Sequence, residues 1–205
     1  MKPTLTFLAT LAATATAQFD YTKRSAPFNL IVLSSTNDTL NGTLLSACHE
    51  GAAIEGFCRG PKLSDTPTYG ATFYFNTSYE TNETVVYDNY GSLDYDLLIS
   101  GNQTVPSAMQ LVYDPTSNVA VPILYPSGGE TYSSVYFDKS EELYIQSWKD
   151  DTVDPAVSKE EKVKQWYVCT TYYSYTYVTL AWVVGKNATP QNPTCQKVTV
   201  KRVWV

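Results

Sequence analysis

The stretch QWYVCTTYYSYTYVTLAWVV, residues 165–184, contains two runs in which apolar and polar residues alternate, at 165–171 and 176–184. Both runs are rich in Tyr, Thr and Val, which favour the half-buried, pleated surface of a β-strand. The stretch therefore predicts two strands, and runs of the same kind recur along the chain.

Ten more short runs have this composition and spacing, at 28–34, 43–47, 71–76, 84–89, 95–100, 108–114, 119–125, 133–138, 142–148 and 197–205. Turn signals separate them: Asn41-Gly42 is a hairpin dipeptide, and residues 138–141 form a four-residue hairpin loop. Many short strands at this spacing are typical of an all-β, mostly antiparallel fold. We expect a single-domain antiparallel β-sandwich, with a trefoil-like closed β-barrel as the alternative.

Two segments depart from simple alternation. Pro122 lies inside the run 119–125 and has no N–H to donate, which predicts an edge strand or a bulge there. Ser158 and Glu161 have the spacing of a helical capping box, and Glu160 and Lys164 are four residues apart. These signals predict one short helix near 158–165.

The beginning of the chain has the pattern of a secretory signal peptide. Lys2 precedes an apolar segment that is shorter than the roughly 20 residues needed to span a bilayer, and small residues follow up to Ala17. Lys23-Arg24 is a dibasic pair at which a late-secretory protease would cut, which makes 18–24 a propeptide; alternatively, the pair is solvated in a mobile terminus. Residues 25–205 then form a single β-rich domain.

Four cysteines in an exported chain imply up to two disulfides, with three possible connectivities. We favour Cys48 with Cys58 and Cys169 with Cys195, although spacing alone does not decide the pairing. Six Asn-x-Ser/Thr sequons occur where chance would supply roughly two, which predicts an N-glycosylated surface. They are Asn37, Asn41, Asn76, Asn82, Asn102 and Asn187.

The charge distribution disfavours some partners. The formal net charge is -6, and Lys and Arg form no long cluster, so neither nucleic acid nor an anionic membrane is an expected partner. No cofactor is predicted. The oligomeric state is left open.

The segment ACHEGAAIEGFC, residues 47–58, contains the only histidine, His49, between two cysteines. A zinc site would need further matched ligands, and the sequence has no CxxC pair and no second histidine. A Ser-His-Asp hydrolase would be expected to show a G-x-S-x-G motif, which is missing here. We therefore interpret the segment as a disulfide-closed loop with Gly51 and Gly56 at its tight positions, and we predict no metal site and no catalytic residue.

Tyrosine is the most suggestive residue type, with 17 in the chain. In a strand, residues two apart share a face, so Tyr173, Tyr175 and Tyr177 are expected to form one row. Such a row suits stacking on sugar rings. The alternative is that these tyrosines fill ordinary outward positions of a strand.

Several segments resemble a family of small secreted proteins from filamentous ascomycete fungi, a domain of unknown function. They are FNLIVLSS with LNGTLLSACHEGAAIEGFC, then ATFYFN, and finally WYVCTT, YVTLAWVVG and NPTCQKVTVKRV. The C-terminal pattern of Trp, Cys, Trp and Cys is also distantly similar to fungal cell-wall proteins of conidium-bearing cells. The resemblance implies an exported fungal protein with a β-rich body and paired cysteines, and it carries over no catalytic residue.

Three functions are compatible with these patterns. The first is a secreted or cell-wall-associated fungal glycoprotein with a non-enzymatic, polysaccharide-binding or structural role. The second is a secreted hydrolase that uses a carboxylate pair or His49. The third is an effector-like interaction protein.

Overall fold

The structure, a computed structural model, describes residues 23–64, 70–77, 87–100, 103–126 and 132–205. These residues form β-strands and no α-helix, which confirms the all-β prediction. The predicted signal peptide with Ala17, and the sequons at Asn82 and Asn102, lie outside the described residues, as does part of the predicted strand 84–89. In chain order the strands are β1 (Lys23–Arg24), β2 (Phe28–Leu33), β3 (Thr43–Gly51), β4 (Ile54–Lys62), β5 (Thr72–Thr77), β6 (Ser92–Leu98), β7 (Thr104–Tyr113), β8 (Val119–Pro126), β9 (Tyr136–Phe137), β10 (Leu143–Asp150), β11 (Val157–Val163), β12 (Trp166–Tyr172), β13 (Thr176–Val183), β14 (Gln196–Lys197) and β15 (Thr199–Trp204).

Eight strands form a closed antiparallel ring in the order β2-β5-β6-β7-β8-β13-β4-β3. The ring closes at β2, which pairs with β3 through Ile31 and Leu44 and with β5 through Phe28 and Phe73. A closed ring leaves no unpaired edge among its strands, whereas each sheet of a sandwich has two. The sandwich that we expected is therefore less well supported than a closed barrel.

The barrel interior is filled by the alternate residues that the sequence pattern indicates. In β2, Phe28, Leu30 and Val32 are buried, while the residues between them are half-buried. Across the interior, the rings of Phe57 and Phe73 stack with their centroids 5.3 Å apart. Burial of such side chains is the main force that holds the barrel together.

Pro122 lies at a change of strand partner and not at an edge, which corrects the sequence-based expectation. The first residues of β8, Val119 and Ala120, pair with β13. Ile123 and Leu124 pair with β4 instead. On this side of β8, Pro122 falls between the two pairings, where the strand can lack an N–H without losing a ladder bond.

The segment 47–58 is mostly a β-hairpin and not a loop. Residues on β3 and β4 pair across it, for example Cys48 with Gly56 and His49 with Glu55. The disulfide between Cys48 and Cys58 joins the two strands. The interpretation as a loop failed because the glycines interrupt the apolar alternation that would have indicated β4.

The helix predicted near 158–165 is wrong, because these residues lie mainly in β11, which runs antiparallel to β10. Capping-box and i, i+4 signals are local, and the eight residues 158–165 are too few for a stable helix in water. Charged residues of the strand also form ion pairs. Lys162 Nζ lies 2.5 Å from Asp88 Oδ1, and Glu161 Oε2 lies 2.6 Å from Lys186 Nζ.

Strand β12 lies beside the ring and pairs with β13, and β14 pairs with the other edge of β12. A second disulfide, Cys169–Cys195, ties the segment that follows β13 back to β12, as the favoured pairing predicts. Cys169 packs with Val119, Ala181 and Val183 in a small apolar cluster that is separate from the main core. Disulfides therefore cross-link the chain both at β12 and at the β3–β4 hairpin.

Arg202, on β15, is a buried cation surrounded by aromatic rings. Its guanidinium carbon lies 4.4 Å from the centroid of Phe137 and 4.5 Å from that of Trp204. Its Nε donates to Glu141, and its backbone N–H donates to the Glu141 carbonyl at 3.0 Å. Arg202 thereby joins β15 to the loop 138–142 between β9 and β10, where the sequence predicts a hairpin loop at 138–141.

We predict that Arg202→Ala lowers the free energy of unfolding by about 3–5 kcal/mol, because it leaves the Glu141 carboxylate without its buried partner. The half-buried neighbour Lys201 provides the control, and Lys201→Ala should change stability by less than about 0.5 kcal/mol. Urea unfolding with the disulfides intact measures both values. Equal effects of the two substitutions would show that the buried ion pair has no special role.

Candidate functional site

Glu50 is the most buried acidic residue near the β3–β4 hairpin end, with 1% of its surface exposed. Its Oε2 accepts hydrogen bonds from the backbone N–H groups of Ser174 and Tyr175, both at 3.1 Å. These two residues belong to the turn between β12 and β13. Glu50 therefore fastens the tip of the β12–β13 hairpin to the β3–β4 hairpin.

Gly56 provides the space for this arrangement. A Cβ atom at position 56 would lie 3.1 Å from the Cγ of Glu50 and 3.4 Å from the Sγ of Cys48. Gly56 therefore leaves room for Glu50 and the disulfide within β4, and it is not at the tight position of a turn that we expected.

Glu55 points to the opposite face of β4, because successive side chains alternate along a strand and Gly56 faces Glu50. Burial raises the pKa of Glu55, the charge of Glu50 adds to this effect, and His49 opposes it. A glycosidase needs two carboxyl groups that flank one bond. Glu50 and Glu55 leave opposite faces of the hairpin, so they do not form such a pair.

His49 is exposed at the end of the hairpin, opposite Glu55. Its ring centroid lies 5.7 Å from that of Tyr175. In the described part of the chain, no group of three or more His, Cys, Asp or Glu side chains could hold a metal ion. None of the described residues forms a helix that is long and apolar enough to cross a membrane.

The three tyrosines of the predicted row lie close together in the chain but not on one strand. Tyr173 and Tyr175 belong to the turn, and only Tyr177 lies on β13. The rings of Tyr175 and Tyr177 are 6.0 Å apart, whereas the hydroxyl of Tyr173 lies 2.5 Å from that of Tyr125. The alternation rule failed here because the chain reverses at 173–175.

A cleft of about 600 Å³ lies beside this hairpin, between β12 and the turn that joins β7 to β8. Tyr113 and Tyr172 line it and are 69% and 73% exposed. The cleft also contains the polar side chains of Asp114, Thr170 and Asn192. Neither tyrosine stands out in the sequence, although the position of Tyr113 directly before the Asp-Pro turn could have indicated it.

Hydrogen bonds fix the walls of the cleft. Asn192 Nδ2 donates to the carbonyl of Thr170 at 2.9 Å, and Asn118 Oδ1 accepts from the backbone N–H of Gln191 at 2.9 Å. A hydrogen bond from the backbone N–H of Thr116 lowers the pKa of Asp114, so this side chain stays charged. The cleft is therefore largely preformed, with two exposed aromatic rings and an anionic group.

The remaining predicted sites lie on the surface or close to it. Asn41 and Asn187 are exposed, whereas Asn37 and Asn76 are half-buried. The Nδ2 of Asn37 donates to Gln196 at 2.6 Å. Lys23 and Arg24 form β1, which pairs with β5.

Asp94 is a second buried carboxylate, with 5% of its surface exposed. It accepts a hydrogen bond from the Nδ2 of Asn76. Burial raises the pKa of Asp94 from 3.8 to about 6; Asp96 acts in the same direction, and Arg24 opposes it. The folded state therefore holds a proton on Asp94 that the unfolded chain releases at lower pH.

A family model with the description "Domain of unknown function (DUF7907)" matches residues 25–204. This match agrees with the resemblance to a domain of unknown function; the fungal origin and the likeness to conidial wall proteins stay predictions. No curated protein matches the chain. No solved structure matches it either.

We predict that Glu50→Ala lowers the free energy of unfolding by about 2–4 kcal/mol, because two backbone N–H groups lose their acceptor. Glu50→Gln is the matched control, since its amide oxygen still accepts both bonds and the loss should be much smaller. Urea unfolding compares the two variants. If both destabilise the fold equally, the hairpin does not depend on these hydrogen bonds.

We predict that Asp94 makes the fold less stable as the pH rises through about 6, because the folded state binds this proton more tightly than the unfolded state. A pKa difference of this size corresponds to about 3 kcal/mol. Asp94→Asn cannot ionise and should raise the free energy of unfolding near pH 7.5 by about 1–3 kcal/mol, with little effect near pH 4. Unfolding curves at both pH values test this, and a gain of equal size at the two would contradict the assignment.

Proposed function

We propose that the cleft between β12 and the β7–β8 turn binds polysaccharide. The chain belongs to the family described as "Domain of unknown function (DUF7907)". The protein would be an exported fungal glycoprotein of the cell surface or wall, without catalytic activity of its own. The observation that carries the proposal is the exposure of Tyr113 and Tyr172 within one cleft.

The chemistry of the cleft suits sugar rings. A tyrosine ring offers a flat apolar face to the C–H groups of a sugar, and its hydroxyl bonds to water or to sugar hydroxyls. Asp114, Thr170 and Asn192 supply acceptors and donors close to these rings. A volume of about 600 Å³ also lies within the usual range for ligand sites.

Export is supported by three independent features. The two disulfides suit an oxidising compartment. Residues 1–17 have the pattern of a signal peptide, and the chain has more sequons than chance predicts. The location at a fungal wall rests on the sequence resemblance alone.

We predict saturable binding of the glycosylated protein to insoluble chitin, β-glucan or whole fungal walls in a sedimentation assay. The double variant Tyr113→Ala, Tyr172→Ala should bind about 5- to 150-fold more weakly, because each stacked ring contributes about 0.5–1.5 kcal/mol. Trp148→Ala removes an exposed aromatic ring on β10, away from the cleft, and should bind normally.

Two results would count against the cleft. Binding that survives in the double variant would mean that another surface, such as Tyr175 and Tyr177, makes the contact. Binding to none of the three materials would contradict the proposal and would favour the effector-like role, with a protein as the partner.

We predict that the exported protein carries glycans on Asn41 and Asn187, whose side chains are exposed, and none on Asn76. The Nδ2 of Asn76, the atom to which a glycan would be attached, already donates to buried Asp94. Glycopeptide mass spectrometry measures the occupancy of each sequon. A glycan on Asn76 would contradict this packing, and bare Asn41 and Asn187 would contradict the glycoprotein assignment.

A further inference from the structure

We infer that β5 and β6 together form a binding site for an arginine side chain on an extended strand, which the uncut chain fills with its own Arg24. A cut after Arg24 opens this site to an arginine-containing strand of another polypeptide. The inference uses contacts outside the polysaccharide cleft and does not depend on the function proposed for it.

Two side chains hold the guanidinium of Arg24. Its central carbon lies 3.5 Å from the ring centroid of Tyr74, on β5. Its Nη2 lies 2.7 Å from Oδ2 of Asp96, on β6. A cation over an aromatic face with a carboxylate partner is an arrangement that recognises arginine well.

The backbone of β1 adds a short strand to the sheet. Lys23 pairs with Thr77 and Arg24 with Asn76, antiparallel to β5. A peptide that adds a strand to a sheet and places a side chain in a pocket uses a common mode of recognition. Here the occupant belongs to the same chain.

The site contains hydrogen-bond acceptors that β1 does not use. Asp94 and Asn76 lie next to Arg24, and the Oδ1 atoms of both are buried without a hydrogen-bond partner among the described residues. Such atoms are rare in folded proteins. They leave two acceptors that a ligand with further hydrogen-bond donors could use once β1 has left.

The domain keeps its first contacts without β1. The backbone N–H of Ser25 donates to the carbonyl of Phe75 at 2.9 Å, and the N–H of Phe75 donates to Oγ of Ser25 at 2.9 Å. The family match also begins at Ser25. A cut at the dibasic pair would therefore remove β1 and leave the start of the domain anchored.

Tethering explains why the cut opens the site. While β1 is attached, its effective concentration is in the millimolar range or above. One side-chain clamp and a two-residue ladder hold a free peptide only weakly, so the released segment dissociates once it is diluted. An external strand with more contacts, or one held at high density, then takes its place.

The test compares a chain that begins at Ser25 with one that begins at Gln18 and keeps β1. Each is titrated to millimolar concentration with the peptide acetyl-Tyr-Thr-Lys-Arg-amide, and binding is followed by NMR shifts. The chain from Ser25 should bind this peptide at least about tenfold more tightly than a peptide with Ala in place of Arg. The chain that keeps β1 should bind at least about tenfold more weakly than the chain from Ser25.

Matched variants locate the contact. Asp96→Asn in the chain from Ser25 should lose the preference for the arginine peptide, whereas Asp114→Asn, in the polysaccharide cleft, should keep it. Equal binding of the Arg and Ala peptides, or no binding of either, would contradict the inference that β5 and β6 bind arginine. N-terminal sequencing of the exported protein should find Ser25 first, and an uncut Lys23-Arg24 would overturn the opening step.

Discussion

A single buried carboxylate joins the β3–β4 hairpin to the β12–β13 hairpin, which borders the cleft. Glu50 comes from β3, and its Oε2 accepts the backbone N–H groups of Ser174 and Tyr175. A carboxylate removed from water is tolerated only when hydrogen bonds replace its hydration. The same two bonds fix the turn that carries Tyr173, which lines the cleft together with Tyr172. Cys48, Glu50 and Gly56 of the ACHEGAAIEGFC segment thus help to hold the turn of the β12–β13 hairpin in place.

The interior of the barrel stabilises the fold, and the candidate binding sites lie on its exterior. The interior is mainly apolar and stabilises the ring through stacked and edge-on aromatic pairs such as Phe57 with Phe73. The two candidate binding sites lie outside the interior or at its ends. They are the cleft with Tyr113 and Tyr172, and the site that holds Arg24. Both surfaces lie on a closed ring of strands in which the disulfide Cys48–Cys58 joins β3 to β4.

Much of the local structure could be predicted from the sequence, because alternation and turn chemistry are local signals. The hairpin loop after β9 is an example, whereas the pairing of the cysteines did not follow from their spacing. The sequence did not decide between the sandwich and the closed barrel, since closure depends on the pairing of Phe28 with Phe73, which are distant in the chain. The cleft was missed for the same reason, because Tyr113 and Tyr172 meet only in the folded barrel. In β11, long-range strand pairing overrode a local helix signal.

The most direct test of this account is amide hydrogen exchange at Ser174 and Tyr175 in the native protein, resolved by NMR. Both residues lie in a surface turn, where amides normally exchange fast. If Glu50 holds the turn, both amides should be protected by at least about 100-fold, similar to amides in the flanking strands. Exchange at the rate of an open turn would contradict the claim that Glu50 fixes this wall of the cleft.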